Sequence, residues 1–225
     1  MKKTAVVILN YNGEKMLQQF LPSVVEYTPE DIADVVVADN ASTDRSLEIL
    51  KEQFPSVKTL VLDKNYGFAG GYNRAIAQLD YEYIQLLNSD VEATEGYLEP
   101  LVEALDKDSN VVSVQPKLLA QKDKSKFEYA GAAGGFLDKY GYPFCRGRIF
   151  ENVETDNHQY DEESDVLWTT GAAMLVRRKE YLDNGGLDDR FFAHQEEIDL
   201  CWRLSSRGYK LRCIPSSILY HVGGG

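Results

Sequence analysis

The sequence predicts an α/β protein with a Rossmann-like, mainly parallel central sheet and helices on both of its faces. Short apolar runs alternate with helical patterns through the first half of the chain. The first run, residues 4–9, is continuous and β-branched, and polar residues follow directly after several of the runs. Alternation of strands and helices favours parallel pairing because each crossover helix returns the chain to the same edge of the sheet.

Five strands and four helical segments are predicted in the first half. Apolar residues recur at helical spacing after the first strand, although Pro22 is expected to kink or split that helix. Ser42 or Thr43 can cap the second helix. The predicted strands are 4–9, 34–38, 57–62, 82–87 and 111–115, and the helices are 16–25, the segment after 43, 68–79 and 94–106.

The second half is less regular. We expect a polar loop at 121–126 and a mobile acidic segment at 151–165. Residues 128–148, which are rich in glycine and aromatic residues, are expected to form an insertion over the edge of the sheet where ligands bind. Neither of the last two has an apolar set large enough for its own core, so one domain over 1–225 is predicted. Regular structure then resumes, with strands at 166–168, 172–177, 210–214 and 218–221 and a helix near 195–207.

Charge and composition exclude several classes of protein. The 225 residues carry 36 acidic and 24 basic side chains, a net charge of −12, which disfavours binding to nucleic acid. The three cysteines show no CxxC spacing and indicate reduced thiols in a cytoplasmic protein. No apolar run reaches the roughly 18–20 residues of a transmembrane helix, and no signal peptide is evident. Peripheral association with the inner face of a membrane stays open.

Polar clusters follow four of the predicted strands. Ligands of open α/β sheets bind outside the carboxyl ends of the strands. A single cluster of Asn, Asp and Gly is ordinary turn chemistry, whereas four in succession favour a shared crevice. The clusters occupy residues 10–12, 39–40, 63–67 and 88–90.

Two of these clusters suggest a nucleotide, each with a simpler alternative. Asp39 can accept hydrogen bonds from a base or a ribose, or can cap the helix that begins near Thr43. The glycines of 67–73 would let a ligand approach the backbone at the start of a helix. They do not form the GxGxxG fingerprint after the first strand, which disfavours a nicotinamide-dependent oxidoreductase.

Asp90 and His221 are candidate metal ligands. Hard divalent cations take carboxylate oxygens together with substrate phosphates, although an aspartate at a strand end is often only a cap. His221 precedes glycines that would let its ring approach a ligand or a metal. A lone histidine is otherwise structural or solvated.

An acidic segment opens the predicted helix near 195–207. Glu196, Asp199 and Arg203 are spaced three and four residues apart and share one face, and Glu197 projects about 100° away from them. These charges can simply compensate the helix dipole and form an Asp199–Arg203 pair. Alternatively one carboxylate is a general base and another orients an acceptor, which the apolar residues 191–193 before the helix favour.

Taken together and in order, these segments resemble the family 2 glycosyltransferases with the GT-A fold. Within this family, the chain is most similar to the rhamnosyltransferase-like enzymes of bacterial surface polysaccharide synthesis. The matching segments are Val-Ile-Leu-Asn-Tyr-Asn-Gly (7–13), Val-Ala-Asp-Asn-Ala-Ser-Thr-Asp (37–44), Asn-Tyr-Gly-Phe-Ala-Gly-Gly-Tyr-Asn (65–73), Leu-Asn-Ser-Asp (87–90), Thr-Gly-Ala-Ala-Met-Leu-Val-Arg (170–177), Glu-Glu-Ile-Asp-Leu-Cys-Trp-Arg (196–203) and His-Val-Gly-Gly (221–224).

The resemblance implies inverting transfer of a sugar from a nucleotide-diphosphate donor to an acceptor hydroxyl. The donor half is expected at about 1–115 and the acceptor half at about 116–225. Asp90 and His221 would hold Mg²⁺ or Mn²⁺, and Asn88 stands where the family has the first carboxylate of its Asp-x-Asp motif. The residues expected around the nucleotide sugar are Asn10, Asn12, Asp39, Asn65, Gly71, Asn73 and Asn88.

On the acceptor side, the resemblance implies a base in the acidic helix. Glu197 is favoured, with Glu196 and Asp199 as the other catalytic candidates. The acceptor, a glycan or a lipid-linked glycan, would lie against Trp168, Gly171 and Arg203 and the Phe191-Phe192 turn.

Two other functions remain open at this point. A sugar nucleotidyltransferase would carry a basic glycine-rich loop after the first strand, and residues 10–13 offer no cation. A noncatalytic sugar-nucleotide or glycan-binding module is compatible with the departures at Asn88 and Glu197. Relatives commonly continue beyond His221, so a truncated or short member is expected. The net charge predicts that a sugar diphosphate binds only with a divalent cation.

Overall fold

The structure is a computed structural model that describes residues 2–191 and 194–223. Helices and strands alternate through the first 120 residues, as predicted. They are β1 (Thr4–Asn10), α1 (Glu14–Tyr27), β2 (Ala33–Asp39), α2 (Ser46–Gln53), β3 (Lys58–Val61), α3 (Gly67–Gln78), β4 (Tyr83–Leu87), β5 (Val91–Glu92), α4 (Glu99–Lys107) and β6 (Val111–Ala120).

The remaining residues form mostly short strands. They are β7 (Asp123–Phe127), β8 (Gly135–Leu137), β9 (Pro143–Cys145), β10 (Arg148–Ile149), β11 (Asn152–Val153), β12 (Ser164–Val166), β13 (Ala173–Arg177), α5 (Arg178–Asp183), α6 (Glu196–Ser205) and β14 (Lys210–His221). Sequence periodicity did not predict the short helix α5.

The central sheet has the order β12-β14-β6-β13-β4-β1-β2-β3. Strands β3, β2, β1 and β4 run parallel, and β13 is antiparallel to both β4 and β6. The α/β class with parallel central strands is therefore confirmed. Since parallel strands end at the same edge, the polar residues after β1, β2, β3 and β4 all lie along that edge.

Continuous apolar runs form the centre of the sheet because helices cover both of its faces. Every residue of β4 is buried, and β1 is buried except for half-buried Leu9. Helix α1 packs its apolar stripe against this sheet through Leu17, Phe20, Leu21 and Val24.

Pro22 lies inside α1, yet the helix continues without a break to Tyr27. The expectation of a split helix is wrong for a physical reason. Pro22 and Gln18 both face solvent, so water can satisfy the Gln18 carbonyl that the missing Pro22 N–H leaves free. The neighbouring buried residues Leu21 and Val24 hold the helix on the sheet.

Three further elements differ from their predicted bounds. The polar segment expected as a loop at 121–126 is largely strand β7, which pairs antiparallel with an extended β6. The two predicted strands 210–214 and 218–221 are one strand, β14, with an irregularity between Ile214 and Ile218. Helix α4 begins at Glu99, five residues later than predicted.

The acidic segment 151–165 is attached to the body through Lys117 of β6. This lysine is 1% exposed, and its Nζ lies 2.9 Å from Asp156 and also contacts Asp161. Burial alone would lower the pKa of Lys117, but the two carboxylates raise it above its usual value. Sequence reasoning did not predict this ion pair, because its partners are about 40 residues apart in the chain.

The insertion forms a second sheet with the order β11-β10-β9-β8. It is joined to the main body where Gly135 pairs with Trp168, and Trp168 Nε1 donates a hydrogen bond of 3.0 Å to the Phe136 carbonyl. The indole lies directly over Gly135, so only hydrogen fits at that position. No helix within 2–191 and 194–223 combines the length and apolarity needed to cross a bilayer.

Substitution of Gly135 tests this attachment. A Cβ atom at Gly135 would lie 2.0 Å from Trp168 Cε2, so Gly135→Ala is expected to lower the free energy of unfolding by about 1–3 kcal/mol. Urea denaturation followed by tryptophan fluorescence measures the change. Gly171→Ala is the control, because its Cβ would meet Glu197 at an ordinary 3.5 Å. Equal stability of the two variants would contradict the packing described here.

Candidate active site

The loops after β1 and β2 are joined by buried polar contacts. Asn10 Nδ2 donates to Asp39 Oδ2 at 2.9 Å and to Ser42 Oγ at 3.1 Å. The other carboxylate oxygen of Asp39 accepts from the Ser42 backbone N–H at 2.8 Å. Asp39 is fully buried, so in this structure it organises the loop as a cap does.

The rim of the same edge is built by the exposed Asn12 and Asn65 together with the buried Asn40. Asn12 has a left-handed φ of 52°, and its Oδ1 accepts from the Thr43 N–H at 2.7 Å. Asn65 Oδ1 accepts from Asn40 Nδ2 at 2.9 Å and from the Gly67 N–H at 2.8 Å. These bonds link the loops after β1, β2 and β3, so three of the four predicted clusters lie together.

Two residues predicted near the donor serve packing instead. A Cβ at Gly71 would lie 2.8 Å from Leu9, so the glycine lets α3 approach β1. Asn73 Nδ2 donates to the Leu187 carbonyl at 2.7 Å, and its Oδ1 accepts from the Tyr181 hydroxyl at 2.6 Å. The Asn73 amide is thus committed to the turn after α5.

A cleft of about 350 Å³ opens beside these loops. It brings together three segments that are far apart in sequence: residues 88–90, the start of α6 and the end of β14. None of the lining residues that the structure describes is lysine or arginine. They are Phe68, Asn88, Asp90, Ala130, Thr170, Gly171, Ala172, His194, Glu196, Glu197, His221 and Gly223.

His221 lies between two carboxylates at one end of the cleft. Its Nε2 is 3.1 Å from Asp90 Oδ1, and its Nδ1 is 3.3 Å from Glu128 Oε1. The second contact is an ion-pair contact that does not meet the geometry of a regular hydrogen bond. Burial of the ring lowers its pKa, but the two carboxylates outweigh burial and raise the pKa of His221 to about 9.

Asp90 shows the reciprocal effect. Burial raises the pKa of its carboxyl group, and the hydrogen bond from His221 overcomes this and holds that pKa below its ordinary value. Asn88 completes the group, with Nδ2 3.3 Å from His221 Nε2. Glu128, which is 2% exposed, was not found from the sequence, because one glutamate among many gives no signal before folding.

Helix α6 directs two adjacent carboxylates into the cleft. The residues before it, His194 and Gln195, both have left-handed φ angles, 70° and 71°, an uncommon conformation for residues other than glycine. Burial, and then the neighbouring charge of Glu196, raise the pKa of Glu197 to about 7. Glu196 is 6% exposed, and its Oε2 has no hydrogen-bond partner within the described part of the chain.

Asp199 and Arg203 face away from the cleft. Arg203 donates to Asp199 Oδ2 through Nε at 2.9 Å and through Nη2 at 2.7 Å. The same guanidinium also bonds the carbonyls of Asn184 and Gly186. The structural alternative for this pair is therefore correct, and the prediction of catalytic and acceptor roles for the two residues finds no support in the geometry.

Of the residues predicted to contact the acceptor, some line the cleft and others do not. Trp168 is 3% exposed beneath the small sheet, so its ring is not available as a stacking platform, and that prediction is wrong. Gly171 does line the cleft, directly beside Glu197. Phe191 is exposed, and Phe192 lies outside the described residues.

The polar end of the cleft fits a divalent cation. Asp90 Oδ1 lies 3.1 Å and Asn88 Nδ2 lies 3.3 Å from His221 Nε2, so a carboxylate and an amide flank the imidazole nitrogen. This mixed oxygen and nitrogen donor set suits Mn²⁺ or Mg²⁺. Asp156, His158 and Asp161 also cluster, but the Lys117 ammonium already binds two of these carboxylates.

Comparison with known proteins decides the family. The model of a family described as Glycosyl transferase family 2 matches residues 5–181. The chain belongs to glycosyltransferase family 2. It is therefore an enzyme, and the resemblance drawn from the sequence motifs is confirmed.

Curated relatives of this glycosyltransferase include rhamnosyltransferases. It is 28% identical over 232 residues to N-acetylglucosaminyl-diphospho-decaprenol L-rhamnosyltransferase of Mycobacterium tuberculosis, covering 96% of this chain and 75% of that one. It is 27% identical over 163 residues to rhamnosyltransferase WbbL of Escherichia coli, covering 69% and 61% of the two chains.

Solved structures share the fold at low identity. GalNAc-T7, solved with UDP, GalNAc and Mn²⁺, aligns with a TM-score of 0.76 and 18% identity. The mannosyltransferase PcManGT of Pyrobaculum calidifontis, solved with GDP-Man and Mn²⁺, aligns with a TM-score of 0.69 and 18% identity. Each alignment covers 98% of this chain but only 44% and 56% of the two neighbours. The predicted GT-A fold is confirmed.

The high pKa of Glu197 predicts a pH-dependent cost to stability. The pKa of Glu197 rises from 4.5 to about 7 on folding. The free energy of unfolding therefore falls as the pH increases from about 4.5 to about 7, because the folded state resists ionisation of this acid. Glu197→Gln should therefore raise the free energy of unfolding by about 1–2 kcal/mol at pH 8 and change it little at pH 4.

Urea unfolding at the two pH values measures this difference. Glu103→Gln is the matched control, since Glu103 is exposed and its ion-pair partner is Lys107 on α4. The same pH dependence in both variants would show that Glu197 carries no buried charge.

Proposed function

We propose that this enzyme is an inverting glycosyltransferase that moves a sugar from a nucleotide-diphosphate sugar to a hydroxyl of a glycan or lipid-linked glycan. The observation that carries the proposal is the cleft itself. One end offers metal ligands, and the other offers a carboxylate with a pKa of about 7. A general base works best when its pKa lies near the operating pH.

The loops after β1, β2 and β3 form the proposed nucleotide side. They lie at the carboxyl edge of the parallel strands, where α/β folds bind nucleotides. Asn12 and Asn65 are exposed on this rim and can meet a base or ribose, whereas Asp39 supports the loop from beneath. The UDP and GDP-Man of the two structural neighbours agree with a nucleotide-sugar donor.

Asp90, His221 and Asn88 form the proposed site for Mg²⁺ or Mn²⁺. When bound, a divalent cation would neutralise the diphosphate and stabilise it as a leaving group. The chain provides no lysine or arginine at the described cleft wall for that purpose. The excess of acidic residues in the sequence thus supports metal dependence.

Glu197 is the proposed base. It accepts the proton of the acceptor hydroxyl as that oxygen forms a bond to the anomeric carbon, and the bond from this carbon to the diphosphate breaks on the opposite side. One displacement of this kind inverts the anomeric centre. Glu196 contributes by its charge, which helps to keep the Glu197 pKa near neutrality.

The acceptor is proposed from the relatives. The Mycobacterium tuberculosis relative is named for a decaprenol-linked substrate, and the shared family and length of match favour a lipid-linked glycan here as well. Such an acceptor would bring this enzyme to a membrane surface.

Removal of the base should separate binding from chemistry. Glu197→Gln is expected to bind the donor as the parent enzyme does and to lose transfer by about 10²–10⁴-fold, the usual value of a general base. Transfer is measured as nucleoside diphosphate released in the presence of acceptor. Undiminished transfer would exclude Glu197 as the base, and release of pyrophosphate would indicate a nucleotidyltransferase reaction instead.

Glu196→Gln provides the matched variant in the same helix turn. Transfer requires the ionised form of Glu197, so parent activity should fall as the pH decreases through about 7. Loss of the Glu196 charge should move this acidic limb to lower pH while transfer continues. An unmoved limb would show that another group sets the pH profile.

Donor binding should require the cation. Thermal unfolding with UDP-, GDP- and dTDP-sugars is expected to show a stabilised protein only when Mn²⁺ or Mg²⁺ is present, since a ligand of the native state raises apparent stability. EDTA should abolish both the shift and transfer, and Asp90→Asn should weaken both. Donor binding that persists in EDTA would contradict the proposed metal site.

A further inference from the structure

Glu128 is a buried carboxylate that the proposed reaction does not use. It lies outside the cleft lining, behind His221, and its side chain is only 2% exposed. A buried carboxylate is costly unless charged or hydrogen-bonded partners compensate it. Its Oε2 accepts from the Ala130 N–H at 2.6 Å, which leaves Oε1 directed at the His221 ring.

The chain also makes room for this carboxylate. A Cβ atom at Gly223 would lie 2.5 Å from Glu128 Oε1, and Gly223 has a left-handed φ of 60°. Any other residue there would be strained and would push against the carboxylate. The glycine after His221 therefore serves the Glu128–His221 contact.

The ligand set at the cleft is low in negative charge. Among Asn88, Asp90 and His221, only Asp90 is a carboxylate, and a histidine that binds a cation through Nε2 is neutral. The proton of such a ring stays on Nδ1 and needs an acceptor. Glu128 Oε1 lies 3.3 Å from Nδ1, and neither atom has a regular hydrogen-bond partner within the described residues.

We propose that Glu128 is a positioning residue that fixes the His221 ring with Nε2 directed at Asp90 and Asn88, and that it supplies through the ring the negative charge that Asn88 does not. Outer carboxylates that accept a proton from a ligating histidine set its tautomer and increase its donor strength. This inference rests on the proposed metal site of the glycosyltransferase.

Glu128→Gln is an informative variant because a glutamine side chain has nearly the same shape as the glutamate that it replaces. The Ala130 N–H requires an oxygen acceptor, so the new amide must turn its NH₂ group toward His221 Nδ1. Nδ1 then accepts a hydrogen bond, and the ring proton moves to Nε2, which can no longer bind a cation. The affinity for Mn²⁺ should fall by about 10–100-fold.

Mn²⁺ alone is the probe, and the EPR signal of the free aqueous ion measures its binding. Glu92→Gln is the control, since it removes a charge two residues from Asp90 but contacts Lys124 and Gln121 instead of His221. It should keep the Mn²⁺ affinity within about threefold because the Glu92 charge is partly exposed to solvent and paired with Lys124. Equal affinities of the Glu128→Gln and Glu92→Gln variants would overturn the proposal.

A double-mutant cycle tests whether the Glu128 charge substitutes for the charge that Asn88 lacks. Asn88→Asp places a carboxylate directly at the site, so Glu128→Gln should cost less affinity in that background than in the parent enzyme. Residues that act on one site are expected to couple in this way. An equal loss of Mn²⁺ affinity from Glu128→Gln in both backgrounds would show that Glu128 does not substitute for a charge at position 88.

A direct measurement keeps the proposal testable if Glu128→Gln does not fold, which circular dichroism would show. The protein has three histidines, so ¹⁵N NMR of the Mg²⁺-bound parent can resolve the His221 ring, assigned with His221→Gln. The expected signature is a proton on Nδ1, and a proton on Nε2 would overturn the proposal.

Neither readout needs a donor sugar or an acceptor. Mn²⁺ binding that depends on Glu128 in a protein without sugar transfer would reject the proposed function and leave this inference standing. A parent protein that binds no Mn²⁺ would contradict the inference itself.

Discussion

Uncompensated negative charge at one edge of the sheet is the constraint on which the rest of the site depends. Asp90, Glu196 and Glu197 line one cleft and Glu128 lies behind its wall. His221 is the basic side chain that contacts Asp90 and Glu128. Charges of one sign repel strongly in a partly buried site, where the dielectric is lower than in water. Burial and the neighbouring Glu196 charge raise the pKa of Glu197, whereas attraction to Asp90 and Glu128 raises the pKa of His221. A bound cation would reduce the excess of negative charge that both shifts reflect.

The fold concentrates these charges through two kinds of strand. The parallel strands β3, β2, β1 and β4 end at a common edge and place their loops side by side. Strand β14 runs for twelve residues beside β6, so that His221 at its end reaches the loop after β4. Residues from positions 88 to 223 thereby meet in one cleft, although each segment alone is unremarkable turn or helix chemistry.

Local patterns predicted the parts of this structure that depend on local physics. The alternation of apolar runs gave the central strands, and the spacing of Asp199 and Arg203 correctly suggested an ion pair on one helix face. The burial of Trp168, the packing of Gly71 and the role of Glu128 depend on partners from distant segments. Such partners exist only in the folded chain, so composition and periodicity could not reveal them.

The contrast between Glu197 and Asp199 shows how environment separates similar carboxylates. Both lie in the first turn of α6, where the helix dipole favours negative charge. Asp199 receives two bonds from Arg203, which tie its carboxylate into the structure away from the cleft. Glu197 is half-buried and has Glu196 as its charged neighbour, and these effects exceed that of the dipole. A carboxylate that is costly to ionise gains most by accepting a proton, and this cost, set by neighbours rather than by residue type, makes Glu197 suited to be a base.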